Sequence, residues 1–555
     1  MEHRVKTPLP IETETNPLLR HSSWALAALV VIATLLRLPL VDRPIWFDEA
    51  CMSDQRIGTT PQLLSTIYTD IHPPLFVLFM HYWNSLFGDG EFAMRIPAMV
   101  SGILCIPLTF WVSHRLIGKG PAMVAAALLA LSPVHVWYCT EARLYAPMIT
   151  TTLFAFGAID RLTYSRRRHS RTLWWLHLLN IAVMLSLHFY LSVIVVALAV
   201  IAPILSRGLD RSASSILLWH GIGIMLLAGF IFAKMQFGEF ETSQDYLRVL
   251  SGSELFFFLF EWCWTGRTLP ASNYALLRAL GVGFVWLGAA LSGLGLLYLA
   301  ATIRQKPRAL LIVLGMTLLP CFMLALVAAG FNNTYIERSL IPSLPFVFML
   351  AAAGLRALPS KAKKLAVSIT IALASLALAS LYSGFASKYT LYKPHPDWRS
   401  AARYLSAQID AGNANIPVYT SAPNPRSLSY YDPRIQDAKN LEIEITPTEL
   451  AESVSNSFGD WLGNLAKSRF TEFANYNRKL LAEAQLIIRR CKPTPSELDW
   501  PSNISGDTCY VIRNEWHPGS HVDGSVEALL AHPDTSVLAT YRCKGVSIYK
   551  LRVTR

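Results

Sequence analysis

Apolar residues come in long blocks along the first 390 positions, separated by short polar stretches. Crossing about 30 Å of hydrocarbon takes about 20 mainly apolar residues in a helix. Eleven segments fit or approach that pattern: Ser22–Val41, Phe92–Ser113, Pro121–Trp137, Ala146–Asp160, Thr172–Leu187, Leu191–Leu205, Ser214–Ala233, Tyr274–Ala301, Ala309–Gly330, Ser339–Leu355 and Leu365–Ala386. Pro74–Phe87 is apolar as well, and the loops decide how to read it. With the N-terminus inside and eleven crossings, the inner loops collect His114–Lys119, Arg161 with Arg166–Arg168 and Arg171, Arg207/Arg211, Arg304/Lys306/Arg308, and Arg356 with Lys361, Lys363 and Lys364. The outer loops collect acids, including Asp48, Glu49, Asp54, Asp70, Glu91, Glu141, Glu239, Glu254 and Glu337. A crossing at Pro74–Phe87 would put every later basic cluster outside, against the positive-inside rule. That segment is therefore expected to lie in the outer interface, entered through Pro73–Pro74.

The pattern changes after Ala386. A polar stretch rich in Pro, Asn and Asp follows, with a helix expected over Trp398–Ile409 and short strands at Ile416–Tyr419, Ala484–Ile488, Cys509–Ile512, Val537–Tyr541 and Val546–Leu551. This predicts a cytoplasmic N-terminal tail over 1–21, a transmembrane domain over 22–390, and an outer α/β domain over 391–555. The first apolar run lacks a small-residue cleavage site and reads as a retained anchor.

Composition sharpens this picture. Of 555 residues, 53% are hydrophobic and 15% charged, where soluble proteins carry about 25% charged residues. Mean hydropathy is +0.35. These values exclude a soluble enzyme, a disordered scaffold and a disulfide-stapled secreted domain. The net charge of +12 is accounted for by the inner loops; no basic stripe with interleaved aromatics marks nucleic-acid binding. Cys105 and Cys321 lie in apolar spans, and Cys51, Cys139 and Cys263 at outer loops. An oxidising outer compartment would allow one disulfide among Cys491, Cys509 and Cys543, leaving one thiol over.

Four polar groupings fall on the outer side. Asp48 and Glu49 follow the first span between aromatics, in Trp46-Phe47-Asp48-Glu49-Ala50. A carboxylate beside aromatic rings at an interface suits a general base; a solvated acidic loop is the plainer reading. His72 stands where the chain turns into the interfacial helix, a common place for a packing or capping His. Glu141 and Arg143 precede Tyr145 at the mouth of the fourth span. Tyr335 and Arg338 precede the tenth, where a cation beside an aromatic binds phosphate or merely snorkels to the headgroups. No ionisable residue holds the centre of a span as a transporter's coupling site would. A shared depth on one side fits an enzyme working where a lipid headgroup meets water.

The motifs Trp46-Phe47-Asp48-Glu49-Ala50, His72-Pro73-Pro74-Leu75, Arg95-Ile96-Pro97, Glu141-Ala142-Arg143-Leu144-Tyr145, Arg338 with Pro342 and Pro345, and Asp397-Trp398-Arg399 together resemble the GT-C glycosyltransferase superfamily. The similarity is to its bacterial branch near protein O-mannosyltransferases and lipid A aminoarabinose transferases, over about residues 24–400. His72 departs from the Lys that the aminoarabinose transferases carry before Pro-Pro. The resemblance implies an α-helical polytopic membrane protein of GT-C type, with a C-terminal periplasmic α/β domain, in a bacterial inner membrane. It implies a polyprenyl-phosphate sugar donor, a glycan, lipid or protein acceptor on the periplasmic side, and inversion at the anomeric carbon. Asp48 takes the general-base role and Glu49 that of a second acid. Arg338, then Arg143, would clamp the donor phosphate, with His72, Glu141, Tyr145 and Tyr335 as further substrate contacts. Asp48, Glu49, His72 and Glu141 are the candidates for a divalent cation, on which superfamily members differ. The competing readings are a flippase or exporter of lipid-linked sugars, which would need polar groups along a path through the bilayer, and a non-catalytic membrane scaffold.

Overall fold

The computed structural model describes residues 17–54, 63, 72–164, 171–206, 208–237, 255–266, 268–269, 274–329, 336–383, 397–413, 418–420, 426–435, 439–440, 508–514, 526, 529–531, 535–543 and 546–553. Tyr335, Asp70, Cys491, the Arg166–Arg168 cluster, most of the N-terminal tail and the strand expected at Ala484–Ile488 lie outside these residues. The chain forms two compact units: Met1–Asp42 with Met52–Tyr392, and Arg43–Cys51 with Lys393–Arg555.

The first unit is helical. Helix α1 (Pro17–Val41) precedes a short helix α2 (Phe47–Asp54), which straddles the unit boundary, and α3 (Leu75–Phe87). Helix α3 has 13 residues, fewer than the roughly 20 that a crossing takes. Then come α4 (Glu91–Ile117), α5 (Lys119–Leu131), α6 (Pro133–Tyr138), α7 (Tyr145–Tyr164), α8 (Arg171–Leu187), α9 (Leu191–Ser206), α10 (Arg211–Phe237), α11 (Ala275–Thr302), α12 (Leu310–Ala328), α13 (Leu344–Gly354) and α14 (Ser360–Ser383). Within the described residues, each predicted span overlaps a helix. Seven helical segments among the described residues are long and apolar enough to cross a membrane. The third expected span is broken, because the Ser132 side chain accepts the His135 N–H and Pro133 opens a new helix there.

Helix α13 is buried all round, as a helix apolar on every face should be. It crosses α11 backbone to backbone: a Cβ at Gly295 would run into the Leu350 carbonyl, and one at Gly354 into the Leu291 carbonyl. Small residues let membrane helices approach in this way, where hydrophobicity alone gives no drive to associate.

Polar side chains lock the two ends of the bundle. At one end the buried Arg37 donates to the carbonyls of Ala33 (2.8 Å) and Ala130 (3.4 Å) and to His135 Nδ1 (2.7 Å). An arginine only donates, so His135 Nδ1 is the acceptor and its proton sits on Nε2. Arg95, also buried, donates to the Val41 carbonyl that ends α1 (2.9 Å). At the opposite, basic end the buried Asp160 faces Arg308 (3.0 Å), Arg115 (3.7 Å) and Arg161 (4.0 Å). Arg356 there donates to the Ile117 carbonyl (3.0 Å).

The second unit is α+β. A five-stranded sheet has the order β2-β1-β3-β5-β4, with β1 (Val418–Thr420), β2 (Lys439–Asn440), β3 (Thr508–Asn514), β4 (Thr535–Cys543) and β5 (Val546–Val553). Strand β1 runs parallel to β2 and β3, and β5 is antiparallel to β3 and β4. Alternation along β3 sends Tyr510 and Ile512 against Trp398, Ala401 and Leu405 of helix α15 (Trp398–Gln408), and Cys509 and Val511 against Val526 and Leu529. Asp397 caps α15 by accepting the Ser400 N–H (3.0 Å). Cys509 is buried, and burial raises its thiol pKa to about 11; Cys491, one of its expected partner candidates, lies outside the described residues.

Candidate active site

The site candidates of the first unit gather at the end away from Asp160. Helix α7 opens at Tyr145, α13 is entered through a 3-10 turn over Glu337–Ser343, and α8 and α9 leave His188, Phe189 and Tyr190 between them. Between α6 and α7 the chain bends tightly: the Arg143 N–H donates to the Glu141 carbonyl at 2.7 Å, and both side chains are buried. That bend exists because α6 is short and ends at Tyr138, and α7 restarts only at Tyr145.

Two groupings meet along this bend. The Arg338 guanidinium lies 5.8 Å over the Tyr145 ring, and Tyr145 packs edge-on against Tyr138 (4.9 Å), which faces Trp262 (6.0 Å). A guanidinium over an aromatic face is attracted by the ring's electron-rich face, which fixes the plane of its N–H fork. In the second grouping, the His72 and His188 rings meet edge-on at 5.6 Å, and Arg143 acts on His188 electrostatically. His188 Nδ1 accepts the Tyr190 N–H (3.1 Å), so its proton sits on Nε2, where it can donate. Burial, then His72 and Arg143, hold its pKa well below the ordinary imidazole value, so it is neutral at physiological pH.

Asp48 and Glu49 stand at the start of α2 in the second unit. Glu49 is fully buried and its Oε2 accepts the Trp46 N–H at 3.4 Å, the return half of a capping box. Asp48 is half-buried. Their loop is tied down within that unit: the Ile45 N–H donates to the Tyr431 hydroxyl at 2.7 Å, and Ile45 and Ala50 are buried. Among the described residues no three His, Cys, Asp or Glu side chains come together to hold a metal ion.

Residues 71–233 match the model of the family described as dolichyl-phosphate-mannose-protein mannosyltransferase. That stretch includes His72, Glu141, Arg143, Tyr145 and His188. The crystal structure of ArnT from Cupriavidus metallidurans in the apo state is similar over 96% of this chain and 98% of its own, with 11% identity and a TM-score of 0.50. The same protein bound to undecaprenyl phosphate is similar over 95% and 98%, with 12% identity and a TM-score of 0.50. The fold is GT-C. No curated protein sequence matches the chain. The resemblance to GT-C glycosyltransferases read from the motifs is borne out.

Several side chains that line this end of the bundle were missed by sequence reading. His188 and Tyr190 occupy a three-residue gap between two apolar segments, at the same end as Glu141. Two such side chains in so short a loop are the signal that could have found them. Tyr138 and Trp262 carried no signal, because an aromatic at the edge of a span is ordinary.

Proposed function

We propose that the protein is an integral-membrane glycosyltransferase that moves a sugar from a polyprenyl-phosphate donor to an acceptor in the cell envelope, a glycan, a lipid or a protein. The observation that carries this reading is the mannosyltransferase-family match over 71–233, in a chain that follows the fold of ArnT along nearly its whole length. ArnT's undecaprenyl-phosphate complex supports the lipid class of the donor. The basic end of the bundle faces the cytoplasm of a bacterial inner membrane, and the site and the second unit face the periplasm; the loop charges support this orientation.

The chemistry follows from the donor. Asp48 takes the acceptor's proton as the acceptor oxygen attacks the anomeric carbon. The bond from that carbon to the phosphate oxygen breaks, and the phosphate leaves with the electron pair. A single displacement inverts the anomeric centre. A phosphate needs no proton to leave, so the cations are spent on its growing charge: Arg338 as the main clamp and Arg143 as the second. His72 and the neutral His188 offer N–H donors, Tyr145 sets the Arg338 fork, and Glu141 faces the sugar's hydroxyls. Tyr335, outside the described residues, is proposed as a further donor contact.

Mass spectrometry of envelope glycans from cells with and without the protein tests the function. One sugar-bearing species should vanish without it and return with the wild-type chain but not with Asp48→Asn. An unchanged glycan profile overturns the proposal. Loss of the species accompanied by inner-leaflet accumulation of an intact lipid-linked sugar would indicate an exporter.

A further inference from the structure

The first unit carries an apolar cleft whose lining includes none of the candidate site residues. It has a volume of 730 Å³ and lies among α1, α4, α7 and α8, with walls that include Leu104, Leu108, Trp111, Phe154, Leu176 and Leu179. Ligand pockets generally run about 300–1,000 Å³, so it has room for a stretch of hydrocarbon chain. Leu104, Leu176 and Leu179 are about half exposed, so the cleft opens sideways from the bundle. Its polar members are engaged elsewhere: Thr150 donates to the Ser101 and Ala146 carbonyls, and Asn180 to the Thr151 carbonyl. Nothing in the middle of the cleft therefore calls for a polar ligand.

One end of the cleft has a different chemistry. His114 and Trp111 line it near the end of α4. The Arg161 guanidinium stacks 3.5 Å over the Trp111 ring and donates to the Trp111 carbonyl (2.9 Å). Arg115 follows His114 and is 31% exposed. Arg115, Arg161 and Arg308 all approach the carboxylate of Asp160. Arg171 opens α8, five residues before Leu176 on the cleft wall, and is exposed. An apolar trough whose Trp111 wall carries the Arg161 guanidinium, with Arg115 next to His114, complements a molecule with a hydrocarbon chain and an anionic head.

We propose that this cleft binds one acyl chain of an anionic phospholipid from the leaflet facing the basic end, with the lipid phosphate against Arg115 and Arg161. The site is separate from the proposed donor site, which lies at the opposite end of α4 and α7. Bound there, the lipid would fasten α1 and α8 to the α4–α7 pair.

Native mass spectrometry of the full-length protein in detergent, titrated with dioleoyl phosphatidylglycerol and with dioleoyl phosphatidylcholine, tests this. The phosphatidylglycerol should bind more tightly. Arg115→Gln should weaken it about fivefold, as the loss of one cation near a membrane surface does, and leave phosphatidylcholine unchanged. Leu104→Trp and Leu179→Trp fill the cleft from half-exposed positions, where the fold tolerates bulk, and should weaken both lipids. Equal binding of the two lipids, or phosphatidylglycerol binding unaffected by all three substitutions, overturns the proposal. Displacement of phosphatidylglycerol by a short polyprenyl phosphate also overturns it, since the cleft would then belong to the donor's tail.

Discussion

The two units handle polar groups differently. In the helical unit guanidinium groups donate to backbone carbonyls, Arg37 to Ala33 and Ala130, Arg95 to Val41 and Arg161 to Trp111, and a cluster of arginines also surrounds the buried carboxylate of Asp160. In the sheet unit the corresponding network joins side chains to one another. Asp432 accepts from Ser406 (2.6 Å) and Arg434 (2.7 Å), and Arg434 reaches Asp410 (2.8 Å). Where lipid replaces water around a bundle, a donor has to be met inside the protein, and Arg95 at the end of α1 is met by the Val41 carbonyl there.

Substitutions of the proposed residues in each unit test the comparison. The largest effect is expected at Asp48, in the loop that belongs to the sheet unit. Asp48→Asn keeps size and hydrogen bonding but removes the base, so turnover should fall by about 10²–10⁴-fold, with an unchanged melting curve. Glu49→Gln should be milder in rate and should lower thermal stability, because Glu49 closes the start of its own helix. Full turnover by Asp48→Asn would sink the assignment.

Arg338 makes the corresponding test in the helical unit. Arg338→Ala should cost about 10–100-fold in kcat/KM for the donor, since charge-assisted hydrogen bonds contribute about 1.5–3 kcal/mol. Arg338→Lys should recover part of that, having lost the bidentate fork and the stack on Tyr145. If Lys is silent, Arg338 only snorkels to the headgroups.

A smaller change probes how the sheet unit holds the Asp48 loop. Tyr431→Phe removes the hydroxyl that accepts the Ile45 N–H. Loss of one such bond costs about 1 kcal/mol. Turnover should therefore drop about fivefold, while the donor KM stays put. An equal change in both would mean that the loop does not depend on this tie.

The smallest effect concerns acid. Hydrogen bonds from Arg434 lower the Asp432 pKa to about 2, against an ordinary 3.8. The carboxylate therefore stabilises the folded sheet unit above about pH 4, and this contribution is lost as the pH falls through about 2. Because Arg434 is half exposed, the size is on the order of 1 kcal/mol. Asp432→Asn should flatten that acid limb in a pH series of melting temperatures without altering the helical unit's transition.

Much of this architecture could be read along the chain. Trp398–Ile409 was expected as helix and is observed as Trp398–Gln408, and the runs at Cys509, Val537 and Val546 are strands. Periodicity and apolar length carry that information locally. The Asp-Glu pair, His72, the Glu141–Tyr145 turn and Arg338 could be singled out because charged groups beside long apolar runs are rare.

What the sequence determined alone is therefore the helical membrane class, the positions of its apolar helices, the strand-bearing tail, and motifs that resemble those of GT-C glycosyltransferases. Only the tertiary structure decided which of these meet. It set Arg338 over Tyr145 and His72 against His188, and clustered Arg43–Cys51 with the tail, tied by Tyr431 across 386 positions of chain. It also gathered three arginines around Asp160 and stacked one of them, Arg161, on Trp111, which lines an apolar cleft. The physical reason is the same in each case. Hydrophobicity and periodicity are properties of neighbours in sequence, whereas a hydrogen bond or a stacked cation depends on which helices cross and where each one breaks.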